Sequence, residues 1–364
     1  MKVAILLSNR WNSAITEYAL SVASSLRLTG YSVVFIPLAN SPGEKRAREL
    51  EFSTHSLAGF GIGAFHKCLL ILDKEHPDII LTCGGPEESL VALLPTNGIR
   101  LRFRGQSMGA PSFLGRILVT AQSSRTAKII FPSAQLEVRG RSFFQSEKCC
   151  RIILGINTKR FHIIEQEEVR DELLIFGRFD PVKGHEHFMN IYGYAKGMLN
   201  KQGRPMPQLH IVGEEANVSE SQLIAAAGRI GLIPGKDVRV SKGRHPNPAK
   251  LLSGALIGIV SSIGSELICR VAEEFLVCGT PIFVSGMGSL DEMIFDRSGW
   301  SYRGMGIEGA ARMLAGAIEM SRSESRLARS ERAAMAQRMF SYEAMGRQLD
   351  GLIKSAVIEK SKPR

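Results

Sequence analysis

Residues 264–286, GSELICRVAEEFLVCGTPIFVSG, hold a helix, a stop and a strand in immediate succession. Leu267, Val271, Phe275 and Leu276 form an apolar stripe at helical spacing, and Gly279 with Pro281 ends the helix. PIFVSG (281–286) is an apolar run of strand length. A helix that runs straight into a buried strand is the repeating unit of a parallel α/β sheet. Two acids interrupt the pattern, Glu266 in the expected first helical turn and Glu274 eight positions on. On one helix they would lie about 12 Å apart along the axis and about 80° apart around it.

The alternation continues outward from this stretch. In the first half the strand-like runs are 2–7, 32–38, 78–83, 100–104, 128–133 and 150–154. After a polar, acidic stretch at 163–172 that reads as a linker, a second series follows at 173–177, 208–213, 237–241, 255–260 and 281–286. The last 45 residues read as helix. With 364 residues, 44% hydrophobic and 22% charged, the chain is long enough for two globular domains. Two consecutive open α/β domains imply a cleft between them, lined by loops at the carboxyl ends of the strands.

Several classes are disfavoured at once. No apolar run reaches the ~18 residues of a membrane span, and MKVAILLSNR reads as a first strand, not a signal peptide. The six cysteines form no CxxC pair and read as buried thiols of a reducing cytoplasm. Net charge is +11, and twelve Lys/Arg against two acids fall between Pro95 and Phe161. Such a stretch suits nucleic acid, an anionic membrane or an anionic substrate; a solvated surface is the alternative.

Three loops could carry chemistry. FGRFDPVKGHEHF (176–188) follows a strand and opens a helix, and its Arg178 and Lys183 could grip a diphosphate and stabilise it as a leaving group. VSSIGSELICRVAEE (260–274) places Ser261, Ser262, Gly264 and Ser265 at a helix start, where N–H groups suit an anion. Glu266 and Glu274 either clamp the hydroxyls at two ends of an elongated ligand, or complement the helix dipole and face solvent. In GTPIFVSGMGSLDEMI (279–294) Gly286 and Gly288 allow close backbone approach, with Asp291 and Glu292 near a short helix where one could be a cap. His185 and His187, two apart just inside a helix, do not share a face and read as structural or solvent-facing.

As a set, in this order and spacing, the segments resemble the nucleotide-binding half of retaining GT-B glycosyltransferases of family 4. The residues that carry the resemblance are Gly177-Arg178 with Lys183-Gly184, Leu209 to Gly213, Glu266 through Glu274, Gly279-Thr280-Pro281, and Gly288 with Glu292. ILGINTKRF (153–161) and FSYEAMGRQLDGLI (340–353) are similar to the family's inter-domain and closing segments. The resemblance covers residues 150–355 or so and implies two Rossmann-like domains with parallel sheets facing each other across a cleft. Expected boundaries are 1–162 for an acceptor-binding domain, 163–338 for a nucleotide-sugar-binding domain, and 339–364 for a helix crossing back to the first.

The same resemblance implies that Arg178 and Lys183 bind the donor diphosphate, Glu274 the ribose, and Glu266 the donor sugar at the reaction centre. Gly177, Gly213 and Glu292 complete the donor side. Leu267, Ile268 and Cys269 stand where family glycines usually follow the first glutamate, which shifts backbone phosphate contacts to Gly264 and Ser265. Arg270 reads as a salt-bridge partner of Glu274. On the acceptor side Asn9 and Arg10 replace part of a glycine-rich loop, and Arg104-Gly105-Gln106 stands where many relatives have His-Gly. The expected partners are a nucleotide sugar and an anionic or lipid-linked glycan, with no metal or cofactor and no nucleic acid. The resemblance points to envelope polysaccharide or lipopolysaccharide synthesis in a bacterial cytoplasm, with 95–161 touching the inner face of the membrane. A GT-B epimerase or phosphorylase and a non-catalytic sugar-binding protein are rivals; a nucleic-acid binder would want aromatics interleaved with its cations.

Overall fold

The computed structural model describes residues 1–106, 123–264, 266–268 and 270–361. Ser265 and Cys269, both singled out above, lie outside the described residues, as does Arg116 of the basic stretch. The chain divides into two compact units, Met1–Gly155 with Phe340–Arg364, and Ile156–Met339.

The first unit is built on β1 (Lys2–Leu7), β2 (Ser32–Pro37), β3 (Ser53–Thr54), β4 (Ile79–Thr82), β5 (Ile99–Phe103), β6 (Thr126–Phe131) and β7 (Cys149–Arg151). All are parallel, in the order β3-β2-β1-β4-β5-β6-β7. Helices α1 (Ala14–Leu28), α2 (Pro42–Glu49), α3 (Phe65–Glu75), α4 (Gly85–Leu93) and α5 (Ala134–Arg141) connect them. Almost every residue of β1, β4 and β5 is buried, the mark of strands covered on both faces. Tyr18 of α1 stacks on Phe103 at 3.8 Å and donates its hydroxyl to the Ile152 carbonyl at 2.7 Å, tying three elements together.

The second unit holds β8 (Glu172–Phe176), β9 (Gln208–Gly213), β10 (Val238–Lys242), β11 (Ile257–Val260), β12 (Ile282–Val284) and β13 (Gly299–Ser301), again parallel, in the order β10-β9-β8-β11-β12-β13. Its helices are α6 (His185–Lys201), α7 (Glu220–Arg229), α8 (Pro248–Ser253), α9 (Arg270–Val277), α10 (Ile307–Arg322) and α11 (Arg326–Phe340). The core gathers Phe188, Phe283 and Tyr302, with the last two rings stacked at 5.0 Å. The final helix, α12 (Tyr342–Ser361), packs on α1. Gly346 lets the two helices meet, since a Cβ there would lie 2.8 Å from the Ser25 carbonyl oxygen.

Two strands escaped the sequence reading, β3 with two residues and β13 with three. The acidic stretch at 163–172 is not a free linker. Ile164 N–H bonds Ser253 Oγ at 3.1 Å, Arg170 N–H bonds the Gly254 carbonyl at 2.7 Å, and Glu172 opens β8. Glu172 is buried because Arg239 donates to it at 2.7 Å, with Arg170 and His210 alongside.

Candidate active site

In the second unit the strand order reverses between β8 and β11, which sets the loops beyond their carboxyl ends side by side. In the first of these loops Asp180 accepts from Val182 N–H at 3.1 Å and from Asn217 Nδ2 at 2.8 Å, fixing a short turn. Gly184 then takes φ +67° and passes so close to Ser261 that a Cβ would lie 2.2 Å from its carbonyl oxygen. Only glycine meets both demands. The loops are joined by Ser261 Oγ donating to the Lys183 carbonyl at 2.9 Å, and by Ile263 and Gly264 N–H donating to the Val182 carbonyl at 2.9 and 3.3 Å. The Gly264 N–H is therefore turned toward Val182.

This arrangement brings Lys183 and Glu266 into contact. Lys183 Nζ bonds Glu266 Oε1, and Ser262 Oγ donates to the same oxygen at 2.6 Å. Glu266 is buried, and its backbone is held too, with Ser289 N–H donating to its carbonyl at 2.8 Å. Gly288, at φ +61°, comes so near that a Cβ would lie 2.2 Å from that carbonyl oxygen. Arg303 secures this turn by pairing with Asp291 and donating Nη2 to the Gly288 carbonyl at 3.1 Å. Asp291 thus anchors the turn instead of capping a helix. Glu292 sits half-buried in the adjoining 3-10 turn, Leu290–Met293.

The two spaced acids do not share a helix. Within the described residues α9 begins at Arg270, and Glu266 stands in the loop before it, where Ile263 and Gly264 N–H donate to the Val182 carbonyl and the Glu266 carbonyl accepts from Ser289. Glu274 does lie on α9. It is buried, and Arg270 Nε donates to it at 2.7 Å, the i, i+4 pairing expected from the sequence. A solvent-facing Glu274 is therefore excluded. Beside it, Glu273 is also buried; desolvation and the Glu274 charge hold its carboxyl well above the usual range. Nothing in the sequence marked Glu273, which follows Ala272 on an apolar face.

Arg178 is exposed and makes no side-chain hydrogen bond or ion pair among the described residues. Gly213 ends β9 against the preceding loop, where a Cβ would lie 1.8 Å from the Gly177 carbonyl oxygen, so this glycine serves close backbone packing. His185, the first residue of α6, is buried edge-on to Phe179 at 6.0 Å. Burial, aided by the Lys183 charge, lowers its imidazole to about 4. His187 stacks on Tyr302 at 6.3 Å.

The first unit has its own reversal, between β1 and β4, and a cavity of about 320 Å³ opens there. Its lining includes Asn9, Arg10, Trp11, Glu87, Arg104 and Gln106. Asn9 is spoken for structurally, donating Nδ2 to Ser13 Oγ at 2.5 Å and to Thr16 Oγ1 at 2.9 Å, which sets the start of α1. Arg10 and Gln106 are exposed at the rim. Arg104 is half-buried, 5.6 Å over the Phe144 ring; burial, then the Arg102 charge, pulls its guanidinium down to about 10. Glu87 is buried, which raises its carboxyl.

The basic stretch is not one face. Arg100 and Arg102 point inward, Arg100 donating to the Leu94 carbonyl at 2.8 Å and Arg102 lying 3.9 Å from Glu88. Lys128 pairs with Glu359 at 2.7 Å and Arg141 with Glu137 at 2.8 Å. Counting cations along the sequence overstated the exposed charge, because alternate residues of a fully buried strand also carry arginines.

No protein-family model matches the chain, and no curated protein matches it. Solved structures do. The glycosyltransferase of Rickettsia africae aligns at a TM-score of 0.80 and 14% identity, over 98% of each chain. HepE of Anabaena, in complex with UDP-glucose, aligns at 0.74 and 15%, over 98% of this chain and 100% of that one. Sucrose-phosphate synthase of Thermosynechococcus elongatus aligns at 0.71 and 18%, over 99% and 100%. The chain has the GT-B fold. At these identities the likeness establishes the fold, and both α/β units take part in it. Among the described residues no helix is long and apolar enough to cross a membrane.

Proposed function

We propose that the protein is a glycosyltransferase that moves a sugar from a nucleotide-diphosphate sugar to a hydroxyl of a glycan or glycolipid. The observation that carries this reading is the Lys183–Glu266–Ser262 cluster at the strand reversal of the second unit. A cation at the end of a parallel strand, backed by a buried carboxylate, is a place for a diphosphate with a sugar beyond it. In this reading Arg178 and Lys183 hold the diphosphate, and Arg178, without a side-chain partner among the described residues, supplies charge that is not already neutralised. Buried Glu274, oriented by Arg270, takes the ribose hydroxyls, and Glu266 takes the donor sugar. Gly177, Gly213, Gly264 and Glu292 shape the donor side.

The reaction retains configuration. The bond from the anomeric carbon to the diphosphate oxygen breaks as the acceptor oxygen attacks the same face. The acceptor proton passes to the departing phosphate oxygen, and the two cations carry the developing charge, so no divalent ion is called for. HepE, crystallised with UDP and with UDP-glucose, supports a uridine nucleotide as the first donor to try. WaaB, a lipopolysaccharide outer core galactosyltransferase of the same fold, supports an envelope glycan as the acceptor.

The test is thermal unfolding of the full chain with UDP-, GDP-, ADP- and dTDP-sugars. One class raises the melting temperature, and Lys183→Ala and Glu274→Ala each abolish that rise. A rise left intact in both variants overturns the donor site. Turnover of the nucleotide sugar in the absence of any acceptor would instead favour an epimerase.

A further inference from the structure

The second unit has a cavity of its own away from the strand reversal. Its volume is about 350 Å³, inside the range of small-molecule sites, about 300–1,000 Å³. His210 of β9 and Arg239 and Ser241 of β10 share one face of the sheet there, with Arg170, His245 and Lys250 around them. In the order β10-β9-β8-β11 these strands stand on the far side of β8 from β11, and no residue of the Lys183–Glu266–Ser262 cluster lines the cavity. Among the described residues the lining carries no carboxylate. Arg170 is spent on its neighbours, giving Nη1 to Glu167 at 3.0 Å, Nε to Glu172 at 3.4 Å and Nη2 to the Leu251 carbonyl at 2.8 Å. Together Arg170, Arg239 and Lys250 exceed those two acids by one positive charge.

Buried His210 decides which chemistry the cavity offers. Arg239 Nη2 donates to its Nδ1 at 2.9 Å and to Glu172 Oε2 at 2.7 Å. Arginine only donates, so Nδ1 is an acceptor and the ring proton sits on Nε2, which gives it to Ser241 Oγ at 2.9 Å. Carboxylate, imidazole and hydroxyl stand in the order of a hydrolase triad, but a ring that already holds its proton on Nε2 takes none from Ser241. Ser241 is instead left with its own hydrogen to give, and it has no acceptor for it among the described residues. Nε and Nη1 of Arg239 have none either, and Lys250 Nζ has only Glu167 at 3.5 Å. His245 Nδ1 lies against the Asn247 backbone, 2.8 Å from its carbonyl and 3.2 Å from its N–H. A lining of spare donors with surplus positive charge calls for a ligand made of acceptors. We propose that this cavity binds the phosphate group of a small molecule, with Ser241 Oγ, Arg239 and Lys250 donating to its oxygens. The inference stands apart from the glycosyltransferase reading and uses none of its residues.

Calorimetric titration of the full chain with inorganic phosphate, glycerol 3-phosphate and glycerol tests this. One or both phosphates bind at least tenfold more tightly than glycerol, and which of the two is tighter tells a free phosphate ion from a phosphate ester. Ser241→Ala and Lys250→Gln each weaken that binding at least threefold, whereas Lys250→Arg retains at least half of the affinity and Lys183→Ala leaves it unchanged. Lys250 is exposed on α8, so Lys250→Gln should melt within about 2 °C of wild type and carries the test alone if Ser241→Ala disturbs the fold. Absence of binding by both phosphates, equal binding of glycerol, or indifference to Lys250→Gln overturns the proposal. Phosphate binding lost in Lys183→Ala but kept in Ser241→Ala and Lys250→Gln belongs to the loops at the strand reversal and overturns it as well. UDP titrated in parallel separates the two readings: its failure to bind while the phosphates still do tells against the donor site and leaves this cavity standing.

Discussion

Replacing Gly288 with alanine separates two reasons for a glycine at one position and asks how firmly Glu266 is held. At φ +61° a side chain pays for the left-handed backbone, about 1–2 kcal/mol. The new methyl also falls 2.2 Å from the Glu266 carbonyl oxygen, and crowding of that kind costs about 1–3 kcal/mol as the turn shifts. Together the loss is about 2–5 kcal/mol. The second unit runs from Ile156 to Met339, and domains of this size lose about 2–4 °C of melting temperature per kcal/mol. Its thermal transition, followed by calorimetry on the full chain, is therefore expected to fall by about 4–20 °C. Asparagine tolerates the left-handed region but keeps the Cβ, so Gly288→Asn should recover only the smaller, backbone part. Because the displaced atom belongs to Glu266, the rise caused by a bound nucleotide sugar should shrink in both variants. A melting temperature within 1 °C of wild type for Gly288→Ala would refute the packing argument.

His185 gives a pH prediction. Its pKa is lowered to about 4 from an ordinary 6.5, so between those values the unfolded chain binds the extra proton. Stability is complete above pH 6.5 and falls as pH drops toward 4, by roughly 3 kcal/mol from this group; chemical denaturation at pH 7 and pH 4.5 should show the fall, and His185→Leu should flatten it. Arg329 of α11 is buried, and its Nη2 donates to the carbonyls of Ser253 and Ala255 at 2.9 and 3.0 Å and to Thr280 Oγ1 at 2.8 Å. Arg329→Ala leaves those acceptors unpaired and should cost about 3–5 kcal/mol by denaturant titration, with Arg329→Met no better than half-restored.

Strand periodicity in the sequence located eleven of the strands to within a few residues, because most are buried apolar runs between turn signals. β3 and β13 were invisible for the opposite reason: Ser53–Thr54 and Gly299–Ser301 are too short and too polar to stand out, and their neighbours' edges define them. Arg178 and Lys183 stood out as cations in a loop after a strand, and Glu266 and Glu274 as acids interrupting an apolar helical stripe. What the sequence could not convey was the loop that carries Glu266 off the helix axis, since the bonds responsible come from Val182 and Ser289, which are distant along the chain. The bond from Ser262 to Glu266 and the pairing of Asp291 with Arg303 were hidden for the same reason, although Ser262 and Asp291 themselves stood out as loop residues. Charge counting failed most plainly at β5, where Arg100 and Arg102 are interior residues held by partners no local pattern announces.

The return of α12 to pack on α1 has a consequence for biosynthesis. The second unit has its last strand by Ser301 and its last residue by Met339, whereas the first unit lacks a covering helix until Ser361 has been made. Every residue of the later-encoded unit is therefore made before the last helix of the earlier one. Until then, the face of α1 near Ser25 and Thr29 that receives Gly346 is open to water. The first unit is thus begun before the second and completed after it, and its α1 surface stays uncovered in the interval.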